Sequence, residues 1–537
     1  MIPYKDNMEK RLLVAVALSI FIIITFQYFS PKPVKAPIPA VSPITAAESV
    51  SKTEIPEIKT PDISNPSVEE KETAVETDKY SLTFSNVGGS IKKIQLKEYK
   101  NLNYNEPLEL VNINNPKEYI LAISSNTMPE ALDTAEYKGT SDKGIITYVS
   151  RTKELEITKR YILHKSKYTI DLQVSIKNIS STPRKFSFDI IGASNLKEHD
   201  TQAKNMLECS AKIDGKVIKL KAPKIGRVTN LGNTEWVDLK TKYFSMILKP
   251  ISSTSAQFHR ENTDKQMIVG VESSNIMINP GETVENKFVL YAGPSQIPLL
   301  KQAGYALDET VDYGFFGGIT KVLLVVMGFF HSIVRSWGVS IILLSIFLNI
   351  ILFPLTMKSF KSIQKMQELH PQMEKLKKEN KDNPQKLNKE VMELYKKYKI
   401  NPLSGCLPML LQMPIFFALY QALMKSIELR GTSFLWVNDL SSPDFIKLPF
   451  TLPMLGNKLH ILPLIMVAAM VIQQKISTKT MGSAITEEQK QQQKMMLIMM
   501  PIMFGLIFYN MPSGLVLYWI INTVLTVVEQ SAVLKKD

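Results

Sequence analysis

In the apolar run from Trp337 to Met357, Asn349 lies four residues and Thr356 eleven residues after Ser345. At 100° per residue the three share one helical face. Near the C-terminus Tyr518, Asn522, Thr526 and Glu529 follow one another at steps of four, four and three, again along one face. Gln412 sits inside a further apolar run, and Asn510 marks the end of another. A polar group without a partner in hydrocarbon costs several kcal/mol, so these side chains must face one another or water. The chemistry they offer is solvation rather than bond making. Two facing stripes describe a wet groove. The alternative is interhelical hydrogen bonding that merely holds a bundle, each bond worth ~1 kcal/mol. Matching stripes on two spans favour the groove.

Covalent chemistry finds little support. The six histidines form no HExxH or similar cluster, and Cys209 and Cys406 fit neither a disulfide framework nor a zinc or redox spacing. The only Gly-Lys pair, Gly215-Lys216, lacks the upstream glycine and the Ser/Thr of a phosphate loop. No metal, cofactor or nucleotide fuel is expected.

The elements that position the stripes follow from a segregated composition. The chain has 537 residues, 45% hydrophobic and 21% charged, with a net charge of +14. Residues 31–310 are polar and ordinary, whereas 319–357 and 408–534 are packed with Leu, Ile, Met, Val and Phe. Leu12 to Phe29 is an uncharged run of 18 residues, about the least that spans ~30 Å of hydrocarbon. An uncleaved anchor in 1–30 is favoured over a signal peptide, because Ser30-Pro31-Lys32-Pro33 offers no small-x-small cleavage site. Lys10 and Arg11 then stay in the cytoplasm. Residues 31–78, rich in Pro, Ser, Thr, Glu and Lys, read as a disordered linker.

From 79 to 310 the period is mostly two, as in Tyr168-Thr-Ile-Asp-Leu-Gln-Val-Ser-Ile176, with turn signals such as Gly88-Gly89 and Asp214-Gly215 between the runs. This predicts a large antiparallel β-sandwich. A carbohydrate-binding or carbohydrate-cleaving role is the sharper reading, but no carboxylate pair stands out, so a scaffold or docking domain is favoured. Residues 311–336 predict an amphipathic helix along the outer interface, since Lys321, His331 and Arg335 interrupt its apolar run.

The core, 337–534, divides into spans near 337–357, 407–427, 459–473, 495–509 and 514–533. Lys358, Lys361 and Lys365 follow the first at once and mark its cytoplasmic end. With the anchor, both termini lie in the cytoplasm. Segment 358–400 holds 12 Lys against 6 Asp and Glu, as a cytoplasmic segment should. Within it Pro371 starts a helix, Lys381-Asp-Asn-Pro384 breaks it, and Leu387, Val391, Leu394 and Tyr398 continue at helical spacing. An antiparallel helical hairpin is predicted. Its basic surface is either a solvated face or a contact for anionic headgroups, ribosomal RNA or a nascent chain. Methionines such as Met495, Met499 and Met503 suit a surface that meets varied apolar helices, although lipid-facing filler explains most of them.

Four motifs, Phe353-Pro-Leu-Thr356, Asn401-Pro-Leu-Ser-Gly-Cys-Leu-Pro408, Leu411-Gln-Met-Pro-Ile-Phe416 with Ala418-Leu-Tyr420, and Pro512-Ser-Gly-Leu-Val-Leu-Tyr518, closely resemble the YidC family of membrane-protein insertases. The resemblance implies a multi-domain protein of the bacterial cell inner membrane. Its parts would be an N-terminal anchor, a five-helix α-helical transmembrane core and a large periplasmic all-β domain, the β-supersandwich of the Gram-negative branch. It further implies a hydrophilic groove open to cytoplasm and lipid, and nascent membrane-protein clients served alone or with the Sec translocon. Ribosome contact through 358–400 and contact with membrane lipids belong to the same expectation, and DNA does not. The candidate groove residues are Ser345, Asn349, Thr356, Lys358, Gln412, Asn510, Tyr518, Asn522 and Thr526. The family usually carries an arginine five residues before the proline of the Phe-Pro-Leu-Thr motif, and this chain has Asn349 there. A secondary transporter with a receptor domain is the runner-up, and it lacks the inverted repeat such proteins show. A membrane-anchored carbohydrate enzyme is the third reading.

Overall fold

The computed structural model describes residues 68–534, apart from 102–105, 126, 128–130, 198–206, 221–225, 231, 252–256, 263–266, 274, 381–382, 399–406, 453–455 and 481–486. The expected anchor, the linker up to residue 67, Cys406 and most of the Asn401–Pro408 motif lie outside the described residues.

The period-two segments form antiparallel sheets. Nine strands make the largest, in the order 216–220, 208–213, 234–240, 244–250, 283–294, 169–178, 155–163, 145–151 and 138–142. In Thr169–Asn178 the buried residues Ile170, Leu172, Val174 and Ile176 alternate with half-exposed ones, as a strand with one face on a core requires. A five-stranded sheet, ordered 226–230, 257–262, 267–272, 189–194 and 123–124, packs across it. The two approach so closely that a Cβ on Gly192 would stand 2.6 Å from Leu248 Cβ. A four-stranded sheet of 72–76, 80–85, 90–100 and 107–112 completes the sandwich.

The first of those strands corrects the linker boundary. Glu72–Glu76 pairs in register with Ser81–Ser85, inside the stretch to residue 78 expected to be disordered. None of its residues is buried, so composition could not reveal it. Backbone pairing holds it, helped by Lys92 Nζ reaching Glu70 at 2.9 Å and Glu72 at 2.6 Å, and Lys97 Nζ reaching Glu76 at 2.8 Å.

A short helix α1 (Ile297–Ala303) leaves the sandwich, and α2 (Gly317–Val334) leads into the bundle. The inward side of α2, Thr320, Leu323 and Met327, is buried. Its outward side, Val322, Val325, Phe329 and Ile333, is exposed and equally apolar, so the helix is less amphipathic than its flanking charges suggest. The next helix, α3 (Trp337–Glu368), runs well beyond the expected end at Met357, with Pro354 inside it. The basic hairpin therefore starts later, as α4 (His370–Glu379) and α5 (Pro384–Lys397), each with a proline in its first turn. They pack on one another through contacts such as Tyr395 Oη to Met373 Sδ at 3.1 Å. The remaining helices are α6 (Leu407–Lys425), α7 (Ile461–Thr480), α8 (Glu487–Phe508) and α9 (Ser513–Leu534). Among the described residues, three helical stretches are long and apolar enough to cross a membrane: Gly317–Val334, Trp337–Ser362 and Ser513–Ser531. Ile461–Ser477 and Leu497–Phe508 are shorter apolar stretches.

The segment after α6 fastens sandwich to bundle. Ile427 belongs to the sandwich core. Gln296 Nε2 donates to Glu428 Oε1 at 2.8 Å, and Arg430 Nη1 donates to the Lys100 carbonyl at 2.9 Å. Lys425 Nζ donates to the Asp312 carbonyl at 2.6 Å. Beyond this joint, Ile446–Leu452 and Gly456–Leu459 form a β-hairpin that the proline-containing sequence did not signal.

Candidate functional site

The polar stripe of α3 and that of α9 meet. Asn349 is half-buried, and its Nδ2 donates both to the Ser345 carbonyl one turn back, at 2.9 Å, and to Asn522 Oδ1 of α9, at 2.9 Å. Helical spacing put each asparagine on a face, and the packing of α3 on α9 brings those faces together. The bond uses only part of what the pair can offer. An asparagine side chain has two N–H donors and an acceptor oxygen. Among the described residues, Asn349 Oδ1 and the Asn522 amide N–H groups carry no partner. The arrangement is both a tie between helices and an open set of donors and acceptors.

A second pair bridges α6 and α9. Gln412 Nε2 donates to Tyr518 Oη at 2.6 Å, with Tyr518 buried and Gln412 half-buried. Tyr518 lies one turn from Asn522, so the two pairs form one polar seam at about 6 Å separation along the helix axis. Aromatic packing from Phe416, Phe504 and Phe508 around Trp519 flanks the seam, with ring centroids 5.1–5.3 Å from the indole.

The remaining candidates divide. Ser345, Thr356 and Thr526 turn their hydroxyls onto carbonyls of their own helices, those of Ile341, Leu352 and Asn522, at 2.8, 3.1 and 2.8 Å. Each hydroxyl is thereby satisfied within its own helix while leaving its oxygen able to accept. Lys358 is exposed, nine residues or ~13 Å along α3 from Asn349. Asn510 is not part of the seam. It is exposed in the turn between α8 and α9, and twelve residues separate it from Asn522. The helix before it ends at Phe508, within a residue of the expected end of that span near Tyr509.

One polar pair escaped the sequence reading. Ser477 Oγ donates to Gln530 Oε1 at 3.0 Å, joining α7 to α9 beyond the seam. The apolar run of α7 stops near Gln473, where the span was drawn to end, but the helix continues to Thr480. A serine four residues past the apolar run was the available signal. Thr320 likewise ties α2 to α6 by donating to the Ala418 carbonyl at 3.1 Å. Among the described residues no group of His, Cys, Asp and Glu could hold a metal.

Two family descriptions match the chain side by side: "YidC periplasmic domain" over residues 72–326 and "60Kd inner membrane protein" over residues 329–537. A membrane protein insertase YidC of Geotalea daltonii is 32% identical over 551 residues, covering 98% of this chain and 99% of that one. The membrane protein insertase YidC of Pelobacter propionicus is 34% identical, covering 97% and 98%. A solved structure described as an active YidC insertase with its first transmembrane domain resolved aligns with 86% of this chain and 92% of its own, at 18% identity and a TM-score of 0.36.

Proposed function

The chain belongs to the YidC family of membrane-protein insertases, and from that membership we propose that the seam between α3, α6 and α9 is its insertion route. The protein is an inner-membrane insertase whose clients are membrane proteins, and it carries out no covalent chemistry. The observation that carries the route is the Asn349–Asn522 pair, which leaves unpaired donors and an unpaired acceptor inside an apolar bundle. A client's polar segment would exchange water for these groups part-way across, which thins the dry slab it must cross. Its apolar helix would leave sideways into lipid along α6 and α8, where Leu411, Met413, Ile498, Met499, Ile502 and Met503 are exposed. Burial of that client helix, at about 25 cal/mol per Å² of apolar surface, supplies the driving force.

In this reading the sandwich stands in the periplasm and both termini lie in the cytoplasm. The lysines of α4 and α5 and of the end of α3 receive the client as it emerges from a ribosome, and α2 lies along the outer interface under the sandwich. Larger clients are shared with the Sec translocon. The supports are the lysine excess of 358–400 and the clamp that Glu428 and Arg430 make between bundle and sandwich.

The test is reconstitution of the purified chain in liposomes with a small two-region client, scored by protease protection against protein-free vesicles. Insertion should depend on the seam and survive deletion of residues 80–290. Insertion unaffected by replacing Asn349, Gln412 and Asn522 together with leucine would refute the route.

A further inference from the structure

The loop and hairpin between α6 and α7 cap one end of the bundle. Ser513, at the start of α9, donates its N–H and its hydroxyl to the Ser442 carbonyl, at 2.9 and 2.6 Å. Asp444 Oδ2 accepts from the N–H groups of Ile461 and Leu462 at 2.8 and 2.9 Å, an N-cap for α7. The Phe434 ring packs against Gly338 at the start of α3. These contacts set the loop at the ends of three helices, on the side that carries the sandwich.

Despite that position, the loop turns large apolar side chains outward. Leu435 is 74% exposed and Phe450 57%, with Trp436 and Ile446 also exposed. The Trp436 Nε1 points toward Asp444 Oδ2 at 3.5 Å, which orients its exposed ring beside the helix cap. Scattered apolar residues are ordinary on a surface, but four on one loop contiguous with a lipid-facing bundle are not. Charge adds a second, independent sign. Lys447 and Lys458 stand directly opposite one another in the hairpin register. Like charges so placed repel; Lys458 Nζ rests over the Phe445 ring, 4.6 Å from its centroid, and among the described residues neither ammonium pairs with a carboxylate. An anionic group from outside the chain would relieve both.

We infer that the described residues 430–452 and 456–460 make an interfacial lipid anchor: Leu435, Trp436, Ile446 and Phe450 enter the headgroup layer of the leaflet on the sandwich side, and Lys447 and Lys458 take lipid phosphates. The depth is limited by the backbone. A two-stranded sheet leaves both outer edges unpaired, which hydrocarbon would not tolerate and the hydrated headgroup layer does. Aromatic and basic side chains are those enriched at that level. The anchor would hold the joint at Glu428 and Arg430 at a fixed height, and with it the sandwich above the bundle. The inference rests on the reading that the bundle spans the bilayer.

The experiment places a nitroxide at Phe450→Cys, Leu435→Cys and Val528→Cys in separate full-length chains carrying Cys209→Ala and Cys406→Ser. Each is reconstituted in phosphatidylethanolamine–phosphatidylglycerol vesicles and read by collision with oxygen and with a water-soluble nickel chelate. Val528, exposed on α9, reports whether the bundle is in lipid. The expected result is an oxygen-to-nickel ratio at 450 and 435 several-fold above that of a label at exposed Lys216→Cys, and below that at 528. Ratios at 450 and 435 equal to that at 216, with a lipid-like ratio at 528, overturn the anchor and leave the spanning bundle intact. Inaccessibility to both reagents at 450 and 435 means that protein covers the loop, which also overturns it. A water-like ratio at 528 defeats the spanning reading itself, and the anchor with it.

Discussion

Asn349 of α3 donates a hydrogen bond to Asn522 of α9 at 2.9 Å, and this single contact joins the two polar stripes of the bundle. Two roles are combined in it, and they separate experimentally. A bond of this kind within a membrane protein averages ~0.6 kcal/mol. We therefore expect Asn349→Ala and Asn522→Ala each to lower thermal stability in detergent by about that amount, with the double variant less than additive. Insertion per folded molecule should fall several-fold in each. A stability loss of several kcal/mol with unchanged insertion would make the pair a strut and nothing more.

Asn349 also stands at the position where the resemblance to the family leads one to expect arginine. A guanidinium at 349 would find Asn522 Oδ1 opposite it, an acceptor already aimed at the site, and Lys358 is ~13 Å away along α3, too far to repel it strongly. Asn349→Arg is expected to keep insertion largely intact and to favour clients with acidic tails over neutral ones. The measurement is protease-protected yield for a matched pair of clients differing in tail charge. Complete loss with both clients would show that the seam cannot hold a cation.

How far these relationships could be read from sequence depended on their range. Alternation made the 169–178 strand plain, and helical spacing put Asn349 and Asn522 on the right faces. That the faces meet is a consequence of how α3 and α9 cross, which no spacing within one helix encodes. The edge strand 72–76 was hidden because none of its side chains is buried and backbone pairing alone selects it. The hairpin 446–459 was hidden by Pro449, which edge strands accept and sequence patterns count against them. Ser477 and Gln530 were missed because α7 outlasts its apolar run.

Lys159 is wholly enclosed in the sandwich. Its ammonium donates to the carbonyls of Gly88 and Leu121, at 2.7 and 2.8 Å, and to Ser90 Oγ at 3.1 Å. Burial pushes its pKa down to about 7, with Asp133 pulling weakly the other way. Between pH ~7 and ~10 the unfolded chain then holds a proton that the folded one has released. Stability therefore rises with pH through that window, by at most about 1.4 kcal/mol per unit. Hydrogen exchange in strand 155–163, corrected for intrinsic rates, should show this rise in the wild type and not in Lys159→Met. Parallel profiles for the two would mean that the amine keeps its ordinary pKa.

Asp238, also enclosed in the sandwich, has the opposite sign. Burial pushes its carboxyl up to about 7, opposed by Lys240 and reinforced by Glu208. The folded state holds the extra proton between pH ~4 and ~7, so stability falls as pH rises through that range and is level above it. Asp238→Asn removes this loss. The variant should match the wild type near pH 4 and exceed it increasingly up to pH 7 in urea unfolding followed by Trp236, a buried neighbour in the same strand. A constant difference across the range would contradict the assignment.

Gly338 and Phe434 supply the last test, because the cap over the bundle end closes on a residue with no side chain. A Cβ at 338 would lie 2.2 Å from two ring carbons of Phe434 and 2.8 Å from its Cβ. The ring cannot simply swing away when its own Cβ is involved, so the loop backbone must shift. Overpacking of this kind costs about 1–3 kcal/mol. Gly338→Ala is expected to lower the thermal midpoint in detergent, and Phe434→Ala to lower it by removing ring contacts. Combined, alanine at 434 lacks both ring carbons that stand 2.2 Å from the new Cβ, so the double variant should be more stable than the sum of the two losses. Strict additivity would mean that the loop from 430 to 444 does not rest on α3. It would then no longer fix the height at which Trp436 meets the leaflet.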